Sequence, residues 1–174
     1  LGYIRHTNLL KNLKFDFKTL NLLLRVKDKR AVTIMQAIID EFKKNNVTVL
    51  PTTYLLSHLL AEKGFLGKVK VNDKIKKDIN FGYAIAKKIA DLDIGQTVIV
   101  KNNIVVAVEA QEGTDECIIR GAKIAGNDFT VIKVARTKQD FRYDVPVMGE
   151  KTINLIKRYN GKGIVIEAKK TFIL

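Results

Sequence analysis

The chain has 174 residues, 47% of them hydrophobic, and 31 Lys+Arg against 18 Asp+Glu give it a net charge of +13. That is enough apolar material for a real core in one ordinary domain or two small ones, so disorder is not expected. One cysteine (Cys117) and two histidines exclude an intrachain disulfide and a cysteine-rich zinc site, and no run approaches the ~18 apolar residues of a membrane-spanning helix.

The start at Leu1 lacks the layout of a signal peptide, and the sequence reads as a piece of a longer protein. Residues 15–26 suit a loop leading into a short helix. From Ala31 to Asn46, Val32, Ile34, Met35, Ile38, Ile39 and Phe42 form one apolar helical face with a basic, Asn-terminated end. Residues 47–50 read as a short strand stopped by Pro51, and Thr52 or Thr53 then caps a helix through Ala61. Two glycines in 64–72 mark a linker, after which Asn72 or Asp73 opens a lysine-rich amphipathic helix to about Ala90.

Beyond Gly95 the texture turns to β. Residues 96–109 read as a hairpin about Lys101-Asn102-Asn103, because Asn tolerates the left-handed backbone of tight turns. A helix capped by Thr114 runs over 115–125 and ends at Gly126-Asn127, and 129–135 is the next strand. A polar loop follows over 136–146, then a helix over 149–159 and a strand over 163–168. The runs 104–108 and 163–166 are apolar without alternation, as in strands covered on both faces. The fold class is therefore α/β.

The residues that could carry chemistry fall at strand ends. Glu109, Glu112, Asp115 and Glu116 crowd eight positions of a basic chain. They would repel one another unless a cation lies among them, and a hard cation such as Mg²⁺ takes oxygen ligands. The plainer reading is a capped helix whose first-turn acids complement the dipole. In "QDFRYD", Asp140, Arg142 and Asp144 alternate with Phe141 and Tyr143, so an extended segment points the charges one way. They form either an ion-paired loop or a metal and phosphate site in which Arg142 clamps the anion. Lys133 either reaches a phosphate or snorkels to the sheet edge, and Gln96 either meets a ligand or shapes a turn. His6, His58 and Cys117 read as surface or packing residues. No phosphate-binding glycine loop and no nucleophile elbow occurs.

The stretches "LDIGQTVIVKNNIVVAVEAQEGTDECIIR" (92–120), "KVARTKQDFRYDVPVMGEKTI" (133–153) and "GIVIEAKKTFIL" (163–174) resemble the LpxI-type UDP-2,3-diacylglucosamine pyrophosphatases. Residues 1–63 resemble the latter part of that family's N-terminal domain, without its opening segment. The chain departs at Arg136-Thr137, where the family tends to have Lys-Pro before x-Gln-Asp.

The resemblance implies two small α/β domains joined by a linker: an incomplete N-terminal domain (1–63), a linker (64–72) and a catalytic domain (73–174). It also implies Mg²⁺-dependent hydrolysis of the diphosphate of UDP-2,3-diacylglucosamine to 2,3-diacylglucosamine 1-phosphate (lipid X) and UMP, a step of lipid A synthesis, with Mn²⁺ as a substitute metal. The expected catalytic carboxylate is Asp140. Glu109, Asp115 and Asp144 are the expected metal ligands. Gln96, Glu112, Thr114, Lys133, Lys138, Gln139 and Arg142 are expected around the substrate. The implied setting is the cytoplasmic side of a Gram-negative inner membrane, on an anionic lipid surface, with a homodimer as the expected assembly. Two alternatives stay open on residues alone: a metal-dependent nuclease, and a basic nucleic-acid-binding protein. The second has no zinc finger, no Trp and no RNP motif in its favour.

Overall fold

The structure is a computed structural model that describes residues 17–28, 30–67 and 71–174. Residues 15 and 16 of the expected first loop, and 68–70 of the expected linker, lie outside the described residues. The chain forms two compact units, Leu1–Thr52 and Thr53–Leu174.

In the first unit, helices α1 (Phe17–Arg25) and α2 (Ala31–Lys44) are the described elements. Ile34 and Ile39 of α2 are buried, as the apolar face requires. Residues 47–50 are not a strand. Asn46 turns left-handed (φ 59°), and the Asn46 and Val47 N–H groups donate back to the Lys43 and Phe42 carbonyls. The helix end thus satisfies its own carbonyls, while the β-branched run has no ladder partner among the described residues and leaves Val47 and Leu50 exposed. The expected helix from Thr52 to Ala61 is also broken up. It becomes a single turn, α3 (Thr52–Leu55), and a 3₁₀ turn (Ser57–Leu59).

The second unit is the α/β body. Its elements are α4 (Asp73–Asp91), β1 (Thr97–Lys101), β2 (Ile104–Val108), α5 (Thr114–Ala125), β3 (Thr130–Lys133), β4 (Val147–Met148), α6 (Glu150–Arg158), β5 (Gly163–Ile166) and β6 (Phe172–Ile173). Four strands make one sheet in the order β2-β1-β3-β5. β1 runs antiparallel to both neighbours, and β5 is parallel to β3. Asn102 and Asn103, both left-handed, make the hairpin turn. The alternation of β1 sends Val98 and Val100 to the face covered by Ala86 and Ala90 of α4, and Ile99 to the face covered by Cys117, Ile118 and Ala122 of α5. Ile156 of α6 joins the second face. Full burial belongs to the central strands. β2 and β5, expected to be covered on both faces, are the two edges and stay partly open.

A small parallel pair, β4 with β6, was not apparent in the sequence. Leu60 bridges to Phe172, the Ala61 N–H donates to the Thr171 carbonyl (2.8 Å), and the Lys169 N–H donates to the Ala61 carbonyl (2.8 Å).

Asp78 of α4 is buried, and its carboxylate accepts the N–H groups of Asn102 (3.1 Å) and Asn103 (2.6 Å). It supplies acceptors that a tight turn cannot find in the ladder. Asp78→Ala strands two donors and should cost about 2–3 kcal/mol in urea denaturation; Asp78→Asn, which keeps one acceptor, should cost less.

Candidate active site

Strand direction gathers the candidate residues. Thr97 lies opposite Lys133, Val98 opposite Val108, and Lys133 opposite Ile166. The start of β1 and the ends of β2, β3 and β5 therefore share one edge of the sheet, where open α/β sheets bind ligands. Gln96, Glu109, Lys133 and Glu167 are the residues next to or at those strand ends. The approach is tight. A Cβ on Gly95 would stand 2.1 Å from the Glu109 carbonyl oxygen, so the chain enters β1 there only as glycine.

Glu109 is held at both carboxylate oxygens, by the Gln96 N–H (3.2 Å) and the Thr114 hydroxyl (3.0 Å). Thr114 in turn accepts the Lys133 ammonium at 2.6 Å and lies 3.3 Å from the Thr97 hydroxyl. It is not the cap of α5, as the sequence suggests. Gly113 takes the capping position with φ 85°, which places Thr114 in the first turn with its hydroxyl turned to the sheet. A left-handed backbone suits glycine better than threonine. Burial pulls the Lys133 pKa down, and Glu109, Asp115 and Asp144 oppose that shift. All three expected metal ligands therefore act on one enclosed ammonium.

The loop 136–146 supplies the other half. Arg136 spreads its guanidinium between Asp93 (2.7 Å) and Asp144 (2.6 Å). Gln139 donates to the Asp144 carboxylate (2.5 Å) and to its carbonyl (2.9 Å), and its own oxygen accepts the Arg136 N–H (2.9 Å) and, at 3.4 Å, the Gln96 amide. Asp140 accepts from the Arg142 backbone N–H (3.0 Å) and from its guanidinium at 2.6–3.1 Å. The guanidinium holds the Asp140 carboxyl below the usual carboxylate value, with Arg136 adding to the effect.

Other expected residues lie further off. Glu112 turns to Arg120. Asp115 ties α5 to α6 through the Thr152 hydroxyl (3.0 Å) and Lys151 (2.8 Å). Lys138 is exposed. Burial pushes the Cys117 thiol up to about 12, which makes it inert packing.

Among the described residues no three His, Cys, Asp or Glu side chains converge closely enough to hold a metal ion. The donor types suit Mg²⁺, since every candidate ligand is an oxygen. In this arrangement each acid is engaged by a protein donor.

Four residues escaped sequence reasoning. Lys87 donates to the Ala135 carbonyl (2.5 Å), Asp91 binds Thr137, and Asp93 and Arg136 pair as described. Two acids at the end of a lysine-rich helix were the available signal. Glu167, just past the end of β5, accepts the Ala135 N–H (2.6 Å) and the Tyr83 hydroxyl (2.9 Å).

The structure defines a three-layer α/β body with acidic and basic side chains gathered at one end of its sheet. Residues 62–174 match the LpxI C-terminal domain and residues 1–59 the LpxI N-terminal domain, and the chain belongs to the LpxI family. It is similar to the UDP-2,3-diacylglucosamine pyrophosphatase LpxI of Caulobacter vibrioides, with 32% identity over 149 residues. Those residues are 81% of this chain and 53% of the relative, so the chain spans about half the relative's length.

Burial raises the Glu167 pKa, but the Ala135 N–H, the Tyr83 hydroxyl, Lys87 and Lys170 outweigh it, and the folded value falls below 4.5. A depressed folded pKa means that the unfolded chain binds the proton first as pH falls. The stability that Glu167 contributes is complete above its unfolded value and is lost as pH drops through the folded one. Glu167→Gln should lower stability at neutral pH by about 1–3 kcal/mol. It should also flatten the acid limb of a stability-against-pH profile measured by urea denaturation.

Proposed function

We propose that the full-length protein hydrolyses the diphosphate of UDP-2,3-diacylglucosamine to lipid X and UMP, a step of lipid A synthesis, at an anionic membrane surface. The observation that carries this reading is the enclosed ammonium of Lys133, acted on by Glu109, Asp115 and Asp144, at the end of the sheet in an LpxI-family domain. No helix among the described residues is long and apolar enough to cross a membrane, which suits a protein that meets its lipid at the surface.

In this reading water attacks the α-phosphorus. The bond from that phosphorus to the bridging oxygen breaks, and the bridging oxygen leaves on the lipid 1-phosphate. Lys133, Lys138 and Arg142 offset the charge that builds on the phosphoryl oxygens. Asp140 takes the proton of the attacking water. Its pairing with Arg142 keeps it ionised but weakly basic. When a phosphate occupies the Arg142 fork, Asp140 loses that stabilisation and its basicity rises. Gln96, Gln139 and Thr114 orient polar groups of the substrate, and Glu112 shapes the turn beneath them. Mg²⁺ is the proposed cofactor: Glu109, Asp115 and Asp144 would have to leave their present donors and draw together to hold it, and it would supply a Lewis acid for the phosphoryl oxygen.

The test is incubation of the full-length protein with UDP-2,3-diacylglucosamine and Mg²⁺ in ¹⁸O-water. UMP should form and carry the label, EDTA should stop the reaction, and Mg²⁺ should restore it. Asp140→Asn should lower kcat by about 10²–10⁴-fold. Equal rates for wild type and Asp140→Asn would remove Asp140 from its role. No UMP from wild type, with cleavage of RNA or DNA instead, would favour the nuclease alternative.

A further inference from the structure

The last turn of α4 is chemically out of place. Helix C-termini favour cations, because the carbonyl ends carry partial negative charge. Yet α4, with eight basic or acidic side chains along it, ends on Asp91, and Asp93 follows two residues on. Asp93 also sits left-handed at φ 60°, a position that glycine or asparagine usually takes. The Asp93 and Ile94 N–H groups donate to the Ala90 and Ile89 carbonyls, so the helix end is closed by backbone alone and has no use for a carboxylate.

Both acids are spent on one short segment. Asp91 accepts the Thr137 N–H and the Thr137 hydroxyl, each at 2.7 Å, one on each carboxylate oxygen. Asp93 takes the Arg136 guanidinium at 2.7 Å. One turn earlier, Lys87 donates to the Ala135 carbonyl. Three consecutive residues, Ala135, Arg136 and Thr137, are thus gripped by one helix end at the point where the chain leaves β3. The loop they open carries Gln139, Asp140, Arg142 and Asp144.

We propose that Asp91 is a positioning residue: through its two bonds to Thr137, the end of α4 sets the conformation of the loop that presents Asp140 and Arg142. Its catalytic consequence rests on the function proposed above; the grip itself does not. In this chain Thr137 is well suited to the role, since it offers two donors to one carboxylate and fixes the loop entrance by hydrogen bonding.

Residue-resolved amide hydrogen exchange of the chain tests the grip. The Gln139, Tyr143 and Asp144 amides donate to carbonyls of Arg136 and Asp140, and none of them touches Asp91. In Asp91→Ala and in Thr137→Val, which keeps the side-chain volume, these three amides should exchange about tenfold faster or more, with β1 and β3 unchanged. Thr137→Ser, which keeps both donors, and Lys88→Ala, on the same turn, should match wild type. Faster exchange confined to the Thr137 amide would overturn the proposal, and so would equal acceleration of loop and strands. Should Asp91→Ala fail to fold, Thr137→Val decides alone. In the full-length enzyme, Thr137→Val should lower kcat about tenfold with KM nearly unchanged, and Thr137→Ser should restore it. A loosened loop with unchanged kcat would overturn the catalytic consequence. Absence of UMP from wild type would sink the proposed function and leave the exchange result standing.

Discussion

Lys133 ends β3 with its ammonium largely out of bulk water. A charge in that position is tolerable only beside hydrogen-bond acceptors and opposite charge. The arrangement around it meets that demand: the Thr114 hydroxyl accepts its hydrogen bond, Glu109 accepts from Thr114, and Asp115 and Asp144 add their fields. Of the acids that look surplus in the sequence, Glu109 and Asp115 are counter-charges to a lysine contributed by a strand some twenty residues further on, while Glu112 pairs with Arg120. The left-handed Gly113, the glycine-only entry at Gly95 and the fold of the loop after β3 all serve to bring these groups to one edge.

The positive and negative groups form one connected network. Lys133 reaches Glu109 through Thr114, Glu109 reaches β1 through the Gln96 N–H, and Gln96 reaches Gln139. Gln139 leads to Asp144, and Arg136 joins Asp144 to Asp93 on α4. Such networks are stiff because each member is fixed from two sides, and removing one member leaves a charge or donor unmatched. Stiffness of this type suits the proposed role, in which a phosphoryl group would be held in line with a nucleophile.

Much of the second unit was legible. The hairpin, α4, α5, α6, β3 and β5 follow from periodicity, Asn and Gly stops, and β-branched runs, all of which are local. The sequence also placed Glu109 just past a strand and Lys133 within the next one, and the structure brings both to one end of the sheet with Thr114 between them. What local reading could not give is sheet order. It read 104–108 and 163–166 as strands covered on both faces, although the order β2-β1-β3-β5 makes them edges that stay partly open. It took 47–50 for a strand because β-branched residues favour one, but propensity without a partner loses to a closed helix end. Thr114 was assigned the cap by residue type, whereas the backbone twist at Gly113 decided the matter. Arg136, Asp91 and Asp93 were missed because their roles exist only once α4 and the 136–146 loop lie side by side.

The β4–β6 pair and its neighbours have a mechanical meaning. Residues 60 and 61, near the start of the second unit, are hydrogen-bonded to 169–172, near its end, and the Leu174 N–H donates to the Met148 carbonyl. Tension applied along the chain to the two ends of this unit is therefore borne first by a handful of short, peripheral bonds. The four-stranded sheet and the charged groups at its end are joined to the rest of the unit by separate bonds, so those peripheral contacts and the site are distinct parts of the fold.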